Sequence, residues 1–296
     1  MEAEVRPLPK FEYIAPSSLK EVLNLLKDYQ SRARLLAGGT DLLPKRNKRA
    51  AAADHLIDLN KISELSFIET RGDRLHIGGL ARLSEIKESP MVREKARALV
   101  QAIGLMASPA IRNRATMAGN LCSASPAADT APPLLVLDAS VRLQSARGER
   151  MIPLSDFFLG PEKTVMRPDE MLTEVIIPIQ EGTSAFMKLG RRKAFTLSIV
   201  SAAAYARVSG GKFAEVRLAL GAVAPTPIRG PKVGEALRGG EVNEQNIEKA
   251  AELIKEEVKP ISDVRASAEY RREMSYVLTK RVMEQAGGGG RNAGTI

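Results

Sequence analysis

The pattern of apolar residues changes at residues 180–184, and this change constrains the fold more than any other feature. Before it, short strand-like runs alternate with helical periodicities. After it, two long apolar strands precede two helices. The 296 residues suffice for two domains of the usual ~100–200 residues. The sequence therefore predicts an α+β protein with a first domain at 1–180, a second at 181–286 and a disordered tail at 287–296.

Periodicity and turn residues predict the individual elements. Helix 17–29 begins with Ser18 and Glu21, the spacing of a capping box. Residues 209–212 form a turn signal between the two long strands, which predicts an antiparallel hairpin. In the first domain the predicted helices are 17–29 and 91–103, and the predicted strands are 34–37, 55–59, 75–77, 134–143 and 174–177. In the second domain strands 196–208 and 215–223 precede helices 243–258 and 263–285.

Composition excludes several kinds of protein. A single cysteine, Cys122, rules out intrachain disulfides, cysteine-ligated iron–sulfur clusters and structural zinc sites of the four-cysteine type. The two histidines, His55 and His76, lie in strand-like runs, so we expect no metal site. Aromatic residues make up only 4% of the chain, which argues against a platform for single-stranded nucleic acid.

The net charge of +9 is less decisive, because the basic residues are spread along the chain. An anionic ligand, an acidic partner surface and a solvated exterior all remain compatible with it, whereas a nucleic-acid reader would concentrate its charge. No run approaches the ~18 apolar residues of a membrane span. The N-terminus lacks the basic-then-apolar order of a signal peptide. We therefore expect a cytoplasmic protein that neither binds nucleic acid nor spans a membrane.

Two glycine-containing loops carry most of the functional information. The first is residues 36–41, at the end of a predicted strand, and the second is residues 116–121. Small residues let backbone N–H groups approach an anion, and consecutive N–H groups can surround phosphate oxygens. Neither loop matches the P-loop or the Rossmann fingerprint. Each loop alone is more often an ordinary turn, but two in one domain suit a long diphosphate ligand held from both sides.

A longer set of residues resembles a known family. The segments that carry the resemblance are 36–42, 104–114, 115–129, 169–178, 186–188 and 221–229. Together they resemble the medium subunits of the molybdenum hydroxylases, which include the flavoprotein subunits of aerobic-type carbon monoxide dehydrogenase, bacterial xanthine dehydrogenase and 4-hydroxybenzoyl-CoA reductase. The resemblance implies a two-part FAD-binding domain of the vanillyl-alcohol-oxidase/MurB (PCMH) type, with parts at about 1–60 and 61–180. A C-terminal domain with an antiparallel sheet and helices would follow it.

The resemblance also implies a set of cofactor-binding residues. The two loops would hold the FAD pyrophosphate, and Asp129 would contact polar groups of the cofactor. Met106 would lie against the isoalloxazine, Leu172 near the adenine or dinucleotide region, and Lys188 would place a cation near the flavin. The implied cofactor-binding residues are Leu36, Ala37, Gly38, Gly39, Thr40, Asp41, Leu42, Met106, Thr116, Ala118, Gly119, Asn120, Ser125, Asp129, Leu172 and Lys188.

Outside the resemblance, four of these residues have plainer interpretations. Leu172 would be a core residue, Met106 a gap-filler, Lys188 a surface charge and Asp129 a turn or cap residue. Ala118 stands where relatives commonly carry glycine, so the backbone there would approach phosphates less closely. Neither loop contains a histidine, so the FAD is expected to be non-covalent.

The implied function is that of an FAD-carrying subunit, an incomplete enzyme by itself. It would pass electrons from an iron–sulfur subunit through FAD to an external acceptor. Molybdopterin would lie on a large partner subunit and two [2Fe–2S] clusters on a small one, in a dimer of heterotrimers. No catalytic residue is evident. Two alternatives remain open: a stand-alone MurB-like flavin oxidoreductase, and a flavin-free basic interaction module.

Overall fold

The structure, a computed structural model, describes residues 10–47, 53–192 and 195–288. Helices and strands are mixed throughout, with three main sheets and one short hairpin in these residues. Of the predicted tail, residues 289–296 lie outside the described part, while the N–H of Gly287 still caps the last helix at Met283. Among the described helices, none is both long enough and apolar enough to cross a membrane.

The first sheet is small and parallel, in the order β1-β3-β2. Its strands are β1 (Glu12–Ile14), β2 (Ala33–Leu36) and β3 (His55–Asp58). Helix α1 (Leu19–Tyr29) joins β1 to β2, and Ser18 caps it as predicted, since its hydroxyl accepts the N–H of Glu21. Burial of Val22 and Leu26 anchors α1 in the core of this part. Helix α2 (Leu42–Asn47) follows β2 directly, so the first glycine loop is the connection between them.

The second sheet has five antiparallel-paired strands in the order β4-β5-β10-β6-β7. These strands are β4 (Ile68–Arg71), β5 (Arg74–Gly78), β6 (Ser140–Ser145), β7 (Gly148–Pro153) and β10 (Met171–Pro178). A short hairpin, β8 (Phe158–Gly160) with β9 (Lys163–Thr164), precedes β10. Six helices lie between β5 and β6: α3 (Leu83–Glu88), α4 (Pro90–Lys95), α5 (Arg97–Leu105), α6 (Pro109–Arg112), α7 (Met117–Cys122) and α8 (Ala131–Val136).

The predicted strand 134–143 is wrong in its first part, because residues 134–136 belong to α8 and the strand begins at Ser140. Pro132 and Pro133 lie in the first turn of α8, where a missing N–H leaves no hydrogen bond unmade. All six residues of α8 are buried. A continuous apolar run does not distinguish a buried helix from a buried strand, which explains the error.

The predicted helix 91–103 is two helices, α4 and α5, because the backbone at Ala96 leaves the helical region (φ −139°, ψ 53°). The carbonyl of Val92 still accepts the N–H of Ala96, so the chain turns there without losing that bond. Ala96 is fully buried and belongs to the main core cluster, so the bend lies inside the core.

The third sheet is antiparallel and contains the predicted hairpin. Its strands, in spatial order, are β11 (Thr183–Gly190), β12 (Ser198–Ser209), β13 (Lys212–Gly221) and β14 (Ile228–Arg229). Gly210 and Gly211 both have positive φ, 56° and 75°, which matches the tight turns that suit the twist of a hairpin. Helices α9 (Pro231–Leu237), α10 (Glu244–Glu252), α11 (Ile254–Glu257) and α12 (Ala268–Ala286) follow. The predicted helix 243–258 is thus divided at Leu253.

The second and third sheets share part of their core. Phe186, Ala203 and Ala219 of the third sheet belong to the same buried cluster as residues of helices α3, α4, α5, α7 and α8. The N–H of Ala222 donates to the carbonyl of Pro126 at 2.7 Å. The C-terminal part therefore packs directly against the segment that follows the second glycine loop.

Candidate functional site

The two glycine loops lie on one cleft of about 1140 Å³. The cleft is larger than the ~300–1,000 Å³ of most small-molecule sites, so it suits an elongated ligand. Its walls come from the first loop, the second loop, residues 106–111, the β8–β9 hairpin, the start of β10 and residues 195–197. Every sequence-predicted cofactor residue lines the cleft except Leu36 and Lys188.

Gly38 lets the first loop contact the chain that leads into the second. A Cβ atom at this position would lie 2.0 Å from the carbonyl oxygen of Arg114, far inside van der Waals contact. Gly39 has φ +73°, a left-handed conformation that other residues adopt with strain. The carbonyl of Gly39 then accepts the N–H of Leu43, which starts α2. The two glycines therefore place the first loop against the second.

The second loop is the start of α7, with Thr116 as its cap. The Thr116 hydroxyl accepts the N–H of Gly119 at 3.2 Å, while Asn120 Oδ1 accepts the hydroxyl of Thr130 at 2.5 Å. The N–H of Ala118 donates to the carbonyl of Gly79, and the Ala118 methyl packs against Gly79. The backbone N–H of Ala118 is therefore already used within the protein, whatever the size of its side chain.

A polar contact links the two loops at the edge of the cleft. Ser123 Oγ donates to Asp41 Oδ2 at 2.9 Å. Lys45 Nζ lies 3.0 Å from the same Asp41 oxygen and 2.7 Å from Glu162 Oε1, in the turn of the β8–β9 hairpin. We call Asp41, Lys45 and Glu162 the Lys45 bridge. It joins α2 to the hairpin across the cleft and remains partly exposed, with 31% of the Lys45 side chain open to solvent.

A second lysine-centred cluster includes Asp129 of the cleft wall. Lys188 Nζ lies 2.7 Å from Asp129 Oδ2 and also donates to the carbonyl of Thr196 at 3.1 Å. Ser198 Oγ donates to Asp129 Oδ1 at 2.5 Å. Burial raises the pKa of Asp129, and the Lys188 ammonium and Ser198 hydroxyl act against that rise. We call Asp129 and Lys188 the buried pair, since their side chains are only 6% and 7% exposed.

The buried pair changes the interpretation of Lys188. The resemblance implies a cation near the flavin at Lys188; in the structure its ammonium pairs with Asp129, and Lys188 is not one of the residues that line the cleft. Asp129 does line the cleft, and its negative charge there is balanced by the Lys188 ammonium.

Met106, Ser125 and Leu172 complete the predicted set. Met106 ends α5, and its carbonyl accepts a hydrogen bond from Arg112 at 2.6 Å, which fixes the turn it occupies. Ser125 Oγ accepts the N–H of Ala127 at 3.3 Å. Leu172 is 1% exposed and belongs to the main core, yet it also borders the cleft. It is thus both a core residue and a wall residue.

Several cleft residues were not singled out from the sequence. Glu170 is held by Arg150 at 2.7 and 2.8 Å and by the N–H of Arg167 at 2.7 Å. Burial alone would raise the pKa of Glu170, but these hydrogen bonds and charges hold it below its ordinary value. Phe195 and Leu197 border the cleft while remaining more than half exposed. Apolar Phe195 and Leu197 flank polar Thr196, a pattern typical of the start of a strand. The sequence therefore does not distinguish these residues from β12, which follows them.

Comparison with known proteins agrees with this architecture. The family model for the FAD binding domain in molybdopterin dehydrogenase matches residues 9–180. The model for the CO dehydrogenase flavoprotein C-terminal domain matches residues 184–286. Both matches together cover almost the whole chain.

Individual relatives match along nearly their full length. The chain is 35% identical over 278 residues to the putative xanthine dehydrogenase FAD-binding subunit of Escherichia coli, covering 93% of this chain and 95% of the relative. It is 34% identical over 280 residues to the carbon monoxide dehydrogenase medium chain of Hydrogenophaga pseudoflava, covering 94% and 97%.

Solved structures give the same result. A carbon monoxide dehydrogenase chain from Hydrogenophaga pseudoflava superposes with a TM-score of 0.92 at 33% identity, covering 96% of this chain and 99% of that one. A chain of quinoline 2-oxidoreductase from Pseudomonas putida 86 gives 0.91 at 32% identity, with the same coverage. The sequence, the cleft and these matches lead to one conclusion: this chain belongs to the FAD-binding medium-subunit family of the molybdenum hydroxylases.

Proposed function

We propose that FAD lies in the cleft described above, with its diphosphate between the two glycine loops. The observation that carries this proposal is the contact between the first loop and the residues on either side of the second, where Gly38 meets the Arg114 carbonyl and Ser123 bonds to Asp41. Because Gly38 has no Cβ atom, the first loop can lie against the chain that leads into the second loop. A longer side chain at this position would hold the two loops apart. Such an arrangement fits a ligand whose phosphates are held from both sides.

The chain functions as the FAD-carrying subunit of a multisubunit molybdenum hydroxylase. It passes electrons from an iron–sulfur subunit through FAD to an external acceptor. Bound FAD supplies the redox chemistry, and the protein supplies position, electrostatics and exclusion of water. No residue of the described cleft is required to act as an acid or base in this role.

The residues divide the work of holding FAD. Residues 37–42 and 116–120 hold the diphosphate, with Ser125 close to the second loop. Asp129 faces polar groups of the cofactor, and its negative charge is balanced by Lys188 at 2.7 Å. Met106 and Leu172 supply apolar surface. The Asn120 NH₂ group is a further donor, since its Oδ1 is the atom that binds Thr130.

The partner subunits follow from the same proposal. A large subunit with molybdopterin and a small subunit with [2Fe–2S] clusters would complete the enzyme, assembled as a dimer of heterotrimers. We also propose that residues 1–180 form the FAD-binding domain and 181–286 a second domain that supports it. Support comes from the hydrogen bonds of Ser198 and Ala222, which reach from the third sheet to Asp129 and Pro126.

The relatives favour this function over the two alternatives. A stand-alone MurB-like oxidoreductase would share the first domain only, whereas the match continues through 184–286. A flavin-free basic module would not carry an FAD-binding domain. Neither alternative explains both matches.

The test is flavin binding by the purified full-length chain. We expect absorption bands near about 370 and 450 nm and release of FAD in about one-to-one ratio after acid denaturation. Gly38→Ala should lower FAD retention at least about tenfold, because the added methyl must displace the Arg114 carbonyl.

Gly104→Ala is the matched control. In α5 its added Cβ would meet only Lys87 Cε at 3.8 Å, so FAD retention should stay at the unmodified level. A folded, colourless chain that refuses added FAD would overturn the proposal. If Gly38→Ala and Gly104→Ala retained FAD equally well, FAD binding would stand but the placement of its diphosphate between the two loops would be wrong.

A further inference from the structure

The charged residues on the described cleft wall are almost all committed to fixed partners. Six line it: Arg34, Asp41, Lys45, Asp129, Glu162 and Glu170. The buried pair accounts for Asp129, and Arg150 accounts for Glu170. Arg34 donates to the carbonyls of Ser31 and Ala33, close to its own backbone. Among these six residues, the Lys45 bridge then contains the ion pairs that burial does not fix.

The Lys45 bridge lies next to both glycine loops. Asp41 ends the first loop, and its Oδ2 atom binds both Lys45 Nζ at 3.0 Å and Ser123 Oγ at 2.9 Å. Lys45 Nζ thus binds the first loop directly and is one hydrogen-bonded atom, Asp41 Oδ2, away from Ser123, which follows the second loop. Burial acts to lower the pKa of Lys45, but Glu162 and Asp41 raise it overall, so the ammonium is charged at neutral pH.

The bridge is also weakly held. The side chains of Asp41, Lys45 and Glu162 are 51%, 31% and 65% exposed. Ion pairs with this much solvent contact contribute little to folding, because water screens them and long side chains lose freedom in forming them. Exchange of the carboxylates for another anion would therefore cost little.

A diphosphate in the cleft would alter the balance of charge at this point. It adds about two negative charges beside two carboxylates, and like charges at such range repel. Of the two cations among the described cleft residues, Arg34 donates to carbonyls of its own segment, whereas Lys45 is paired directly with Asp41 of the first glycine loop, beside the proposed position of the diphosphate. Glu162, as the shortest partner of Lys45 at 2.7 Å, would compete with the phosphates for it.

We propose that Lys45 is a further FAD-binding residue: when FAD enters, its ammonium leaves Glu162 and binds the cofactor diphosphate. This proposal rests on FAD binding in the cleft. Glu162 is then a competitor that weakens binding, so substitutions of the two bridge partners have opposite effects. A bridge that only ties the hairpin to α2 would give effects of the same sign.

The test compares the dissociation constants of FAD and riboflavin for the full-length chain freed of flavin, measured by fluorescence titration. Lys45→Gln should weaken FAD binding about tenfold, as expected for loss of one charge-assisted hydrogen bond to phosphate, and leave riboflavin binding unchanged. Glu162→Gln should tighten FAD binding roughly threefold, because a repelling and competing charge is lost. Lys45→Arg should retain most of the FAD affinity.

Lys280→Gln is the matched control, since Lys280 also lies between two carboxylates, Glu244 at 2.9 Å and Glu248 at 3.6 Å. It lies on α12, away from the cleft, so both dissociation constants should be unchanged. Lys45→Gln weakening FAD and riboflavin equally would assign Lys45 a structural role and overturn the inference. Unchanged FAD binding in Lys45→Gln would overturn it too. Failure of the unmodified chain to bind FAD would instead overturn the proposed function.

Discussion

Two lysine-centred ion pairs border the same cleft, and they differ mainly in their contact with water. The buried pair joins Asp129 and Lys188 at 2.7 Å with both side chains less than 10% exposed. The Lys45 bridge has the same shortest distance, 2.7 Å, but its carboxylates are half or more exposed. The two ion pairs therefore have the same shortest distance but differ greatly in how far their charged groups are removed from water.

The difference suggests different roles for the two pairs. Removing one partner of a buried pair leaves a charge without compensation, so such a pair can hold a wall in place but cannot exchange partners. An exposed pair can be replaced by water or by another anion at little cost. The cleft thus combines a fixed electrostatic element, the buried pair, with an exchangeable one, the Lys45 bridge.

The largest expected effect is at the buried pair. Asp129→Ala should lower the free energy of unfolding by about 3–5 kcal/mol, because Lys188 would remain buried without a counter-charge. Urea denaturation of the unmodified and variant chains measures this directly. The double variant Asp129→Leu/Lys188→Met, which removes both charges, should recover most of the loss. A loss below about 1 kcal/mol for Asp129→Ala would break the contrast between the two pairs.

An intermediate effect is expected at Glu170. Its side chain is 5% exposed, whereas that of its partner Arg150 is 32% exposed, so this pair lies between the other two in burial. Glu170→Gln should cost about 2 kcal/mol at neutral pH, through weakened hydrogen bonds to Arg150 and to the Arg167 N–H. The same urea experiment provides the measurement. A cost equal to that of Asp129→Ala would show that burial of the partner does not matter.

Lowering the pH should remove the stabilisation that ionised Glu170 gives to the folded state. Since the folded state lowers the pKa of Glu170, its ionised form stabilises the fold above the ordinary glutamate pKa, and this stabilisation is lost as pH falls through the folded value. The stability difference between the unmodified chain and Glu170→Gln should therefore shrink between about pH 7 and about pH 3. A difference that grows on acidification would contradict the assigned direction.

The smallest effect on stability is expected at the Lys45 bridge. Lys45→Gln should change the free energy of unfolding by no more than about 0.5 kcal/mol, and added salt should reduce even that. Thermal and urea unfolding of the flavin-free chain at two salt concentrations would measure it. A loss as large as that of Glu170→Gln would show that the bridge is a structural element and not an exchangeable one.

Local patterns predicted much of the fold. The capped helix at α1 and the hairpin at Gly210 and Gly211 depend on neighbouring residues alone, and both are confirmed. The pattern failed at α8, where a fully buried helix and a buried strand share the same apolar composition. It also missed the bend at Ala96, a residue with no helix-breaking chemistry of its own.

The candidate site was predictable where its residues lie in two compact motifs. Their small residues singled out the two loops, the resemblance to the family assigned them to FAD, and the structure places them on one cleft. Lys45 and Glu162 are 117 positions apart, and Glu170 lies 20 positions from Arg150. Such pairings depend on the register of distant elements, which no periodicity within one segment encodes. The binding roles of the individual cleft residues remain predictions.

The lone thiol on the cleft wall gives the protein a reporter of cleft occupancy. Cys122 donates to the sulfur of Met166 at 3.5 Å, and burial raises its pKa to about 12. Alkylating reagents attack the thiolate, so this thiol should react slowly at neutral pH. Cys122 nevertheless remains partly exposed and lines the cleft, so a small reagent can reach it from there. A ligand that fills the cleft would slow the labelling further without any engineered probe.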